Sequence, residues 1–213
     1  MVEQQDAPPP TGGGHSELIG NHPALDLVNT VGWRLDPQRT VDRIPDGAAL
    51  VRWAAYAGLV DRATGVGSSE RADLAAARVR DLRELLHGVL QPVALGRRPG
   101  AAGLAALQDR VLAALGREQV AIARVMPLEW SVRGRTVADL PARLAVEAWD
   151  LLVHEDAGRL RQCRDDDCGW LFLDRSRNGS RVWCSSADCG NRARARRHYA
   201  RRAGTHPGSG SPS

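Results

Sequence analysis

The four cysteines of this chain constrain its fold more than any other feature of the sequence. All of them lie within 27 of the 213 residues, and they form two pairs, each with four residues between its members, separated by 15 residues. Thiolates in two close pairs joined by a loop of this size are the usual ligands of a tetrahedral zinc ion with a structural role. The spacing therefore predicts one structural Zn²⁺ bound by Cys163, Cys168, Cys184 and Cys189.

Three other interpretations of the cysteines are open: unrelated buried thiols, disulfide bonds and a catalytic zinc site. The paired spacing argues against unrelated thiols. The N-terminal sequence MVEQQDAPPPTGGG has neither the basic nor the apolar region of a secretory signal, so we expect a cytoplasmic location, where disulfides are rare. A catalytic zinc keeps one ligand position open, whereas four thiolates close the shell, which favours a structural ion.

The residues between the two cysteine pairs predict a β-hairpin that brings the pairs together. Trp170–Leu173 and Arg181–Trp183 have the composition of strands, and Asn178-Gly179 between them is a strong turn signal. A module of this size buries little surface by itself, so we expect the metal and several aromatic residues to supply its stability. These aromatic residues are Trp170, Phe172, Trp183 and Tyr199.

A strongly basic helix is predicted after the fourth cysteine. All 29 basic residues of the chain are arginines, and segment 159–203 holds 12 of them against five acids, a net charge of +7, whereas the remainder carries −3. A cationic end on a mildly acidic body predicts a polyanionic partner. The sequence GNRARARRHYARRAG contains strong helix formers and ends at Gly204.

The arginines of this helix and of the predicted hairpin turn are candidate nucleic-acid contacts, because guanidinium groups bind phosphates and guanine edges. At about 100° per residue, a helix places Arg194, Arg197 and Arg201 on one face and Arg192 with Arg196 on a second. Ala195 and Tyr199 share a third face, which we expect to pack against the hairpin. The full candidate set is Arg175, Arg177, Arg181, Arg192, Arg194, Arg196, Arg197 and Arg201.

The rest of the chain predicts a mainly helical domain with one short strand pair, so the expected fold class is α+β and mainly α. We expect residues 1–16 to be disordered and 204–213 to form a flexible tail. The sequence has no run of 18 apolar residues, so we expect no membrane-spanning helix. Helices are predicted at about 22–33, from the N-cap Asp46 onwards, at 69–90 before a terminating Pro92, at 101–116, and after Asp139 with Pro141 in the first turn; strands are predicted at 119–125 and 128–132 before a turn at 133–135. The residues predicted to face inward include Leu25, Trp53, Leu74, Leu86, Leu104, Leu107, Leu112, Leu144 and Leu152.

The cysteine-rich segment resembles a known family. The stretch CRDDDCGWLFLDRSRNGSRVWCSSADCGNRARARRHYARR is similar to the CGNR-type zinc finger, named for the tetrapeptide that begins here at Cys189. Residues 17–157 resemble the ABATE domain that accompanies this finger, most clearly at NHPALDLVNT, which begins at Asn21. The resemblance implies a stress-induced bacterial transcription regulator in which the four cysteines of segment 160–203 bind zinc and the arginine-rich helix binds DNA.

Two functions are compatible with these observations. The first is a zinc-dependent, DNA-binding transcription regulator with a treble-clef-like finger, whose N-terminal domain senses a small molecule or protein partner or forms an oligomer. The alternative is an adaptor whose finger binds proteins without sequence-specific DNA binding. No paired acids, nucleophile elbow or glycine-rich phosphate loop indicates an enzyme. Asn29-Thr30 either lines a pocket or occupies ordinary polar helix positions.

Overall fold

The computed structural model describes residues 18–60, 70–116, 119–121, 129–131 and 136–204. The predicted disorder of 1–16, the turn at 133–135 and the tail from 205 onwards lie outside the described residues. None of the helices in the described ranges is both long enough and apolar enough to span a membrane. In chain order, the elements are α1 (Pro23–Val28), β1 (Val31–Gly32), β2 (Val41–Asp42), α2 (Gly47–Tyr56), α3 (Glu70–Ala94), α4 (Ala101–Leu115), β3 (Gln119–Ala121), β4 (Glu129–Ser131), α5 (Leu140–His154), β5 (Leu160–Gln162), β6 (Leu171–Leu173) and α6 (Cys189–Gly204).

The structure confirms the predicted mainly helical fold with small strand pairs. The carboxylate of Asp46 caps α2 by accepting a hydrogen bond from the backbone N–H of Ala49 at 2.7 Å, and Pro141 lies in the first turn of α5, where its missing N–H costs nothing. The strands β1–β2, β3–β4 and β5–β6 form antiparallel pairs. Helix α1 ends at Val28, earlier than predicted, because the chain turns there into β1.

Pro92 does not terminate α3, contrary to the prediction. The helix continues to Ala94, its last residue. Gly96, two residues beyond this end, has a φ of +70°. The N–H of Arg97 donates to the Pro92 carbonyl at 2.8 Å and that of Gly96 donates to Val93 at 2.9 Å, which is the Schellman arrangement. A proline so close to the helix end removes a single hydrogen bond, whereas glycine adopts the left-handed conformation that ends the helix.

The core of the N-terminal body is built around α3, which packs against α1, α2, α4 and α5. Several residues predicted to face inward are instead exposed, because they flank the stripe by which each helix touches its neighbours. Helix α4, for example, buries only Leu107, Val111 and Ala114. The exposed residues are Leu74, Leu104, Leu112 and Leu152.

Strand β6 belongs to two cores at once. Its residues Leu171 and Leu173 lie in the core of the helical body, whereas Phe172 and the preceding Trp170 pack with the four cysteines. Successive side chains of a strand point to opposite faces, so a strand of three residues contacts both cores. The zinc-finger segment therefore shares its hairpin with the N-terminal body.

The predicted strand at 170–173 does form one half of a β-hairpin, but its partner is not the predicted segment 181–183. Strand β6 pairs with β5, and the segment 181–183 is not a strand. The N–H of Arg181 donates instead to the carboxylate of Asp174 at 2.9 Å, and the N–H of Cys184 donates to the sulfur of Cys163 at 3.4 Å. These amides are bound by a carboxylate and a thiol, so they do not form a ladder with β6.

The segment around α1 runs along β6 and fixes its position. The side chain of Asn29, which is 5% exposed, donates to the Leu171 carbonyl at 2.8 Å and accepts from the Leu171 N–H at 2.9 Å. The N–H of Leu173 donates to the Gly20 carbonyl at 3.0 Å. Asn29 therefore takes the place of a neighbouring strand, a role that neither interpretation of this residue predicted.

We expect Asn29→Ala to destabilise the protein by about 2–4 kcal/mol, because it leaves the buried N–H and carbonyl of Leu171 without partners. Urea unfolding followed by tryptophan fluorescence measures this loss. The matched control is Asn178→Ala in the exposed turn, for which the expected loss is below about 0.5 kcal/mol. Equal midpoints for the two variants would contradict this role of Asn29.

Candidate metal centre and basic helix

The four cysteine sulfurs form one buried cluster, as the spacing predicted. All four Sγ atoms lie within 4.8 Å of one another, and no cysteine is more than 4% exposed. The Sγ atom of Cys184 is 3.7 Å from that of Cys168 and 3.3 Å from that of Cys189. Four sulfurs at about 2.3 Å from a central zinc ion would be about 3.8 Å apart, so this donor set fits tetrahedral zinc.

The charge of the thiols also favours a cation. Hydrogen bonds with Cys168, Cys184 and Cys189 hold the pKa of the Cys163 thiol far below its usual range, whereas hydrogen bonds with Cys163, Cys168 and Cys189 raise the pKa of Cys184. Without a cation, the cluster therefore shares protons between ionised and neutral sulfurs. A divalent ion allows all four sulfurs to ionise together and supplies free energy to the folded state.

A tight turn holds the first cysteine pair. The N–H of Cys163 donates to the Trp170 carbonyl at 2.8 Å, and the N–H of Cys168 donates to the Asp165 carbonyl at 3.2 Å. Gly169 follows with a φ of +72°, and a Cβ there would lie 3.0 Å from the Cβ of Arg34. A glycine is therefore needed where this turn meets the N-terminal body.

Each residue of the tetrapeptide 189–192 contributes to the second half of the centre. Cys189 is a ligand candidate, and Gly190 leaves room for Trp183, whose Cδ1 would be 3.2 Å from an added Cβ. The side chain of Asn191 donates to the Ala187 carbonyl at 2.5 Å and closes the preceding turn. The guanidinium of Arg192 donates to the Cys189 sulfur at 2.9 Å. The tetrapeptide thus builds the start of α6.

Arg192 offsets the negative charge of the cluster. It also pairs with Asp165 at 3.2 Å and with Asp188. Burial by itself lowers the pKa of this guanidinium, but the negative charges of Cys189, Asp165 and Asp188 outweigh burial, and the pKa is raised overall. A zinc ion with four thiolates keeps an excess negative charge, which Arg192 stabilises through its hydrogen bond to sulfur.

Four of the eight candidate arginines are held by groups of the protein itself, as Arg192 illustrates. Arg196 lies 3.3 Å from Asp165 and also faces two neighbouring aspartates. Arg181 stacks on Phe172 at 4.2 Å and donates to backbone carbonyls, and Arg175 pairs with Glu155 at 2.5 Å.

The other four candidate arginines are Arg177 in the turn and Arg194, Arg197 and Arg201 on α6. All four are exposed, as Arg175 and Arg196 also are. Arg194 bonds the Ser186 carbonyl at 3.0 Å and the side chain of Asn191.

The predicted packing of Ala195 and Tyr199 against the hairpin is wrong. Both residues are exposed, Tyr199 by 69%, and Ala193 is the last buried residue of α6 within the range whose side chains are described. The first half of α6, up to Arg196, contacts the finger. The remainder extends from it, because arginine-rich turns offer no apolar stripe for packing.

The contribution of the N-terminal body to this centre was not predicted from the sequence. Trp170 donates its indole N–H to the Val31 carbonyl at 2.8 Å, and the N–H of Arg34 donates to the Cys168 carbonyl at 3.2 Å. The ring of Trp33 lies against Arg192. No local pattern marks these residues, because their partners are more than 130 positions away in the sequence.

Comparison with protein families agrees with the order of the two parts of the chain. Residues 21–155 match the model of the ABATE family, described as "Putative stress-induced transcription regulator", and residues 159–202 match the model of the CGNR zinc finger. The first match covers more than half of the chain. No curated protein matches the chain. Neither family description names an enzymatic activity.

We expect the purified protein to contain about one zinc per chain by elemental analysis. Cys184→Ser should lose the metal, because serine replaces a thiolate at the centre of the cluster, whereas the adjacent Ser185→Ala should retain it. Wild-type protein without metal would contradict the assignment.

Chelation should speed amide hydrogen exchange over residues 163–168 and 182–192, because the metal supplies folding energy to these turns. The amide of Leu171 should stay protected, since Asn29 and the helical core hold β6 independently of the metal. Hydrogen exchange with mass spectrometry measures both regions. Unchanged exchange over 182–192 in the metal-free protein would contradict the stabilising role of zinc.

Proposed function

Since this chain belongs to the ABATE family and carries a CGNR zinc finger at residues 159–202, we propose that it is a cytoplasmic, zinc-dependent transcription regulator that binds DNA through α6. The observation that carries this proposal is the combination of a helix anchored at a cysteine of the metal cluster with arginines exposed along one of its faces. The helix begins at Cys189, and its outer turns are exposed.

The dimensions of α6 suit the major groove. Its 16 residues span about 24 Å, and the groove, about 12 Å wide, admits one α-helix. Arg194, Arg197 and Arg201 fall within about 60° of one another around the helix axis. A helix anchored at one end by a metal centre loses little entropy when it binds, which favours DNA affinity.

The candidate arginines divide into two groups in this proposal. Arg177, Arg194, Arg197 and Arg201 contact DNA, in agreement with their exposure. Arg175, Arg192 and Arg196 pair with carboxylates and Arg181 donates to three backbone carbonyls, so these four position the finger, because a phosphate would have to displace those groups.

The N-terminal domain is proposed to receive the signal. A cavity of about 320 Å³ lies between α3, α4 and α5, which is at the lower end of the range for small-molecule sites. Small side chains such as Ala114 and Ala145 line it, together with Arg78, Arg110 and Asp81. Two guanidinium groups and one carboxylate suit a small effector that carries a negative charge.

We expect zinc-loaded protein to bind duplex DNA with an affinity that falls as the salt concentration rises. Each phosphate contacted should contribute about −0.9 to the slope of log K against log salt. Arg197→Ala should weaken binding and reduce the slope by about 0.9 if this residue contacts a phosphate. Arg52→Ala on α2 is the matched control, because it removes an equal charge from an exposed site outside the finger. Fluorescence anisotropy with a labelled duplex measures each slope.

Absence of binding at low salt by metal-loaded protein would contradict DNA recognition. Retention of a protein partner after nuclease treatment would then support the adaptor function instead. An equal loss of affinity for Arg52→Ala and Arg197→Ala would show that only net charge matters and would contradict the role of α6. A loss confined to particular duplex sequences would indicate that Arg197 contacts a base rather than a phosphate.

A further inference from the structure

Two guanidinium groups lie close to the indole ring of Trp33. The Cζ atoms of Arg39 and Arg192 are 4.2 Å and 4.5 Å from the ring centre, within the range of cation–π interactions. Trp33 has a φ of +55°, a left-handed conformation that is rare for residues other than glycine. Such a conformation persists only where the surroundings hold it, and it often marks a residue with a specific task.

The loop that carries Trp33 is attached to the first cysteine turn, so the ring has a fixed position relative to the metal centre. The N–H of Arg34 donates to the Cys168 carbonyl at 3.2 Å, and that of Leu35 donates to the Asp167 carbonyl at 3.3 Å. Arg39 binds the Asp167 carboxylate at 2.5 Å, and its guanidinium group also lies over the indole ring of Trp33.

Arg192 is the other member of this arrangement, and it lies in the first turn of α6. Its guanidinium is bound by the Cys189 sulfur, by the fully buried carboxylate of Asp165 and by Asp188. Arg192 therefore joins the first turn of α6 to the first cysteine turn, where Arg196 of the next turn also pairs with Asp165. Trp33 is the group of the N-terminal body that contacts this guanidinium.

We propose that Trp33 is a positioning residue for DNA binding: it holds Arg192 against Cys189 and so fixes the direction in which α6 extends. The inference rests on the proposed function and adds a way in which the N-terminal body regulates DNA binding. The N-terminal body completes the DNA-binding unit, and any ligand of that body that moves the loop 33–39 changes the DNA affinity of α6. Arg192 acts through the metal centre and does not touch DNA.

The first test uses the full-length, zinc-loaded chain with Trp33→Ala and Trp33→Phe. We expect Trp33→Ala to keep its zinc, to exchange the amides of residues 193–200 faster, and to bind DNA about tenfold more weakly, the size of effect typical of a desolvated cation–π contact. Trp33→Phe should recover most of this loss, because phenylalanine keeps an aromatic face for Arg192. The control is Trp149→Ala, which removes a 45%-exposed tryptophan from α5.

A second variant, Arg39→Ala, removes the other guanidinium and keeps the ring. It should give a smaller change of the same sign in both exchange and DNA affinity, since Trp33 loses one of its two supports. The exchange measurement needs no DNA, so a wild-type protein that fails to bind DNA would contradict the proposed function while exchange still tests the positioning.

Two results would overturn the inference. Exchange of α6 and DNA affinity equal to wild type in both Trp33→Ala and Arg39→Ala would show that α6 keeps its direction without the stack. Loss of zinc from Trp33→Phe as well as Trp33→Ala would show that the ring is needed to form the metal centre, which is a different role.

Discussion

The collection of four thiols in one buried cluster is the constraint on which the finger depends. Sulfur atoms within 4.8 Å of one another cannot all ionise unless a cation joins them. A divalent ion removes that conflict and ties the turn at 163–168 to the turn at 184–189. The start of α6 follows directly, because its first residue is the last of the four cysteines.

The finger and the helical body are in contact through strand β6. Strand β6 contributes Leu171 and Leu173 to the body and Phe172 to the cysteine cluster. Asn29 and Gly20 of the body satisfy backbone groups of the same strand. The body therefore contacts the finger both through β6 and through the ring of Trp33, which lies against Arg192.

The arginines of the C-terminal segment have two roles because they have two environments. Those near the metal meet a sulfur, buried aspartates and carbonyl groups, so their charge is used within the protein. Those farther along α6 are exposed, because this helix has no apolar face with which to pack. A count of positive charges alone treats both groups as equal, although their surroundings differ.

The sequence by itself determined the features that depend on neighbouring residues: the cysteine cluster from its spacing, the helices from their apolar period, the Asp46 cap and the basic helix after Cys189. It did not determine the partner of β6, the end of α3 or which arginines are exposed. Only the tertiary structure decided these, because they depend on contacts between distant segments, such as Asn29 with Leu171, 142 positions apart. Local spacing carries no information on such pairs, since the chain must first fold before they meet.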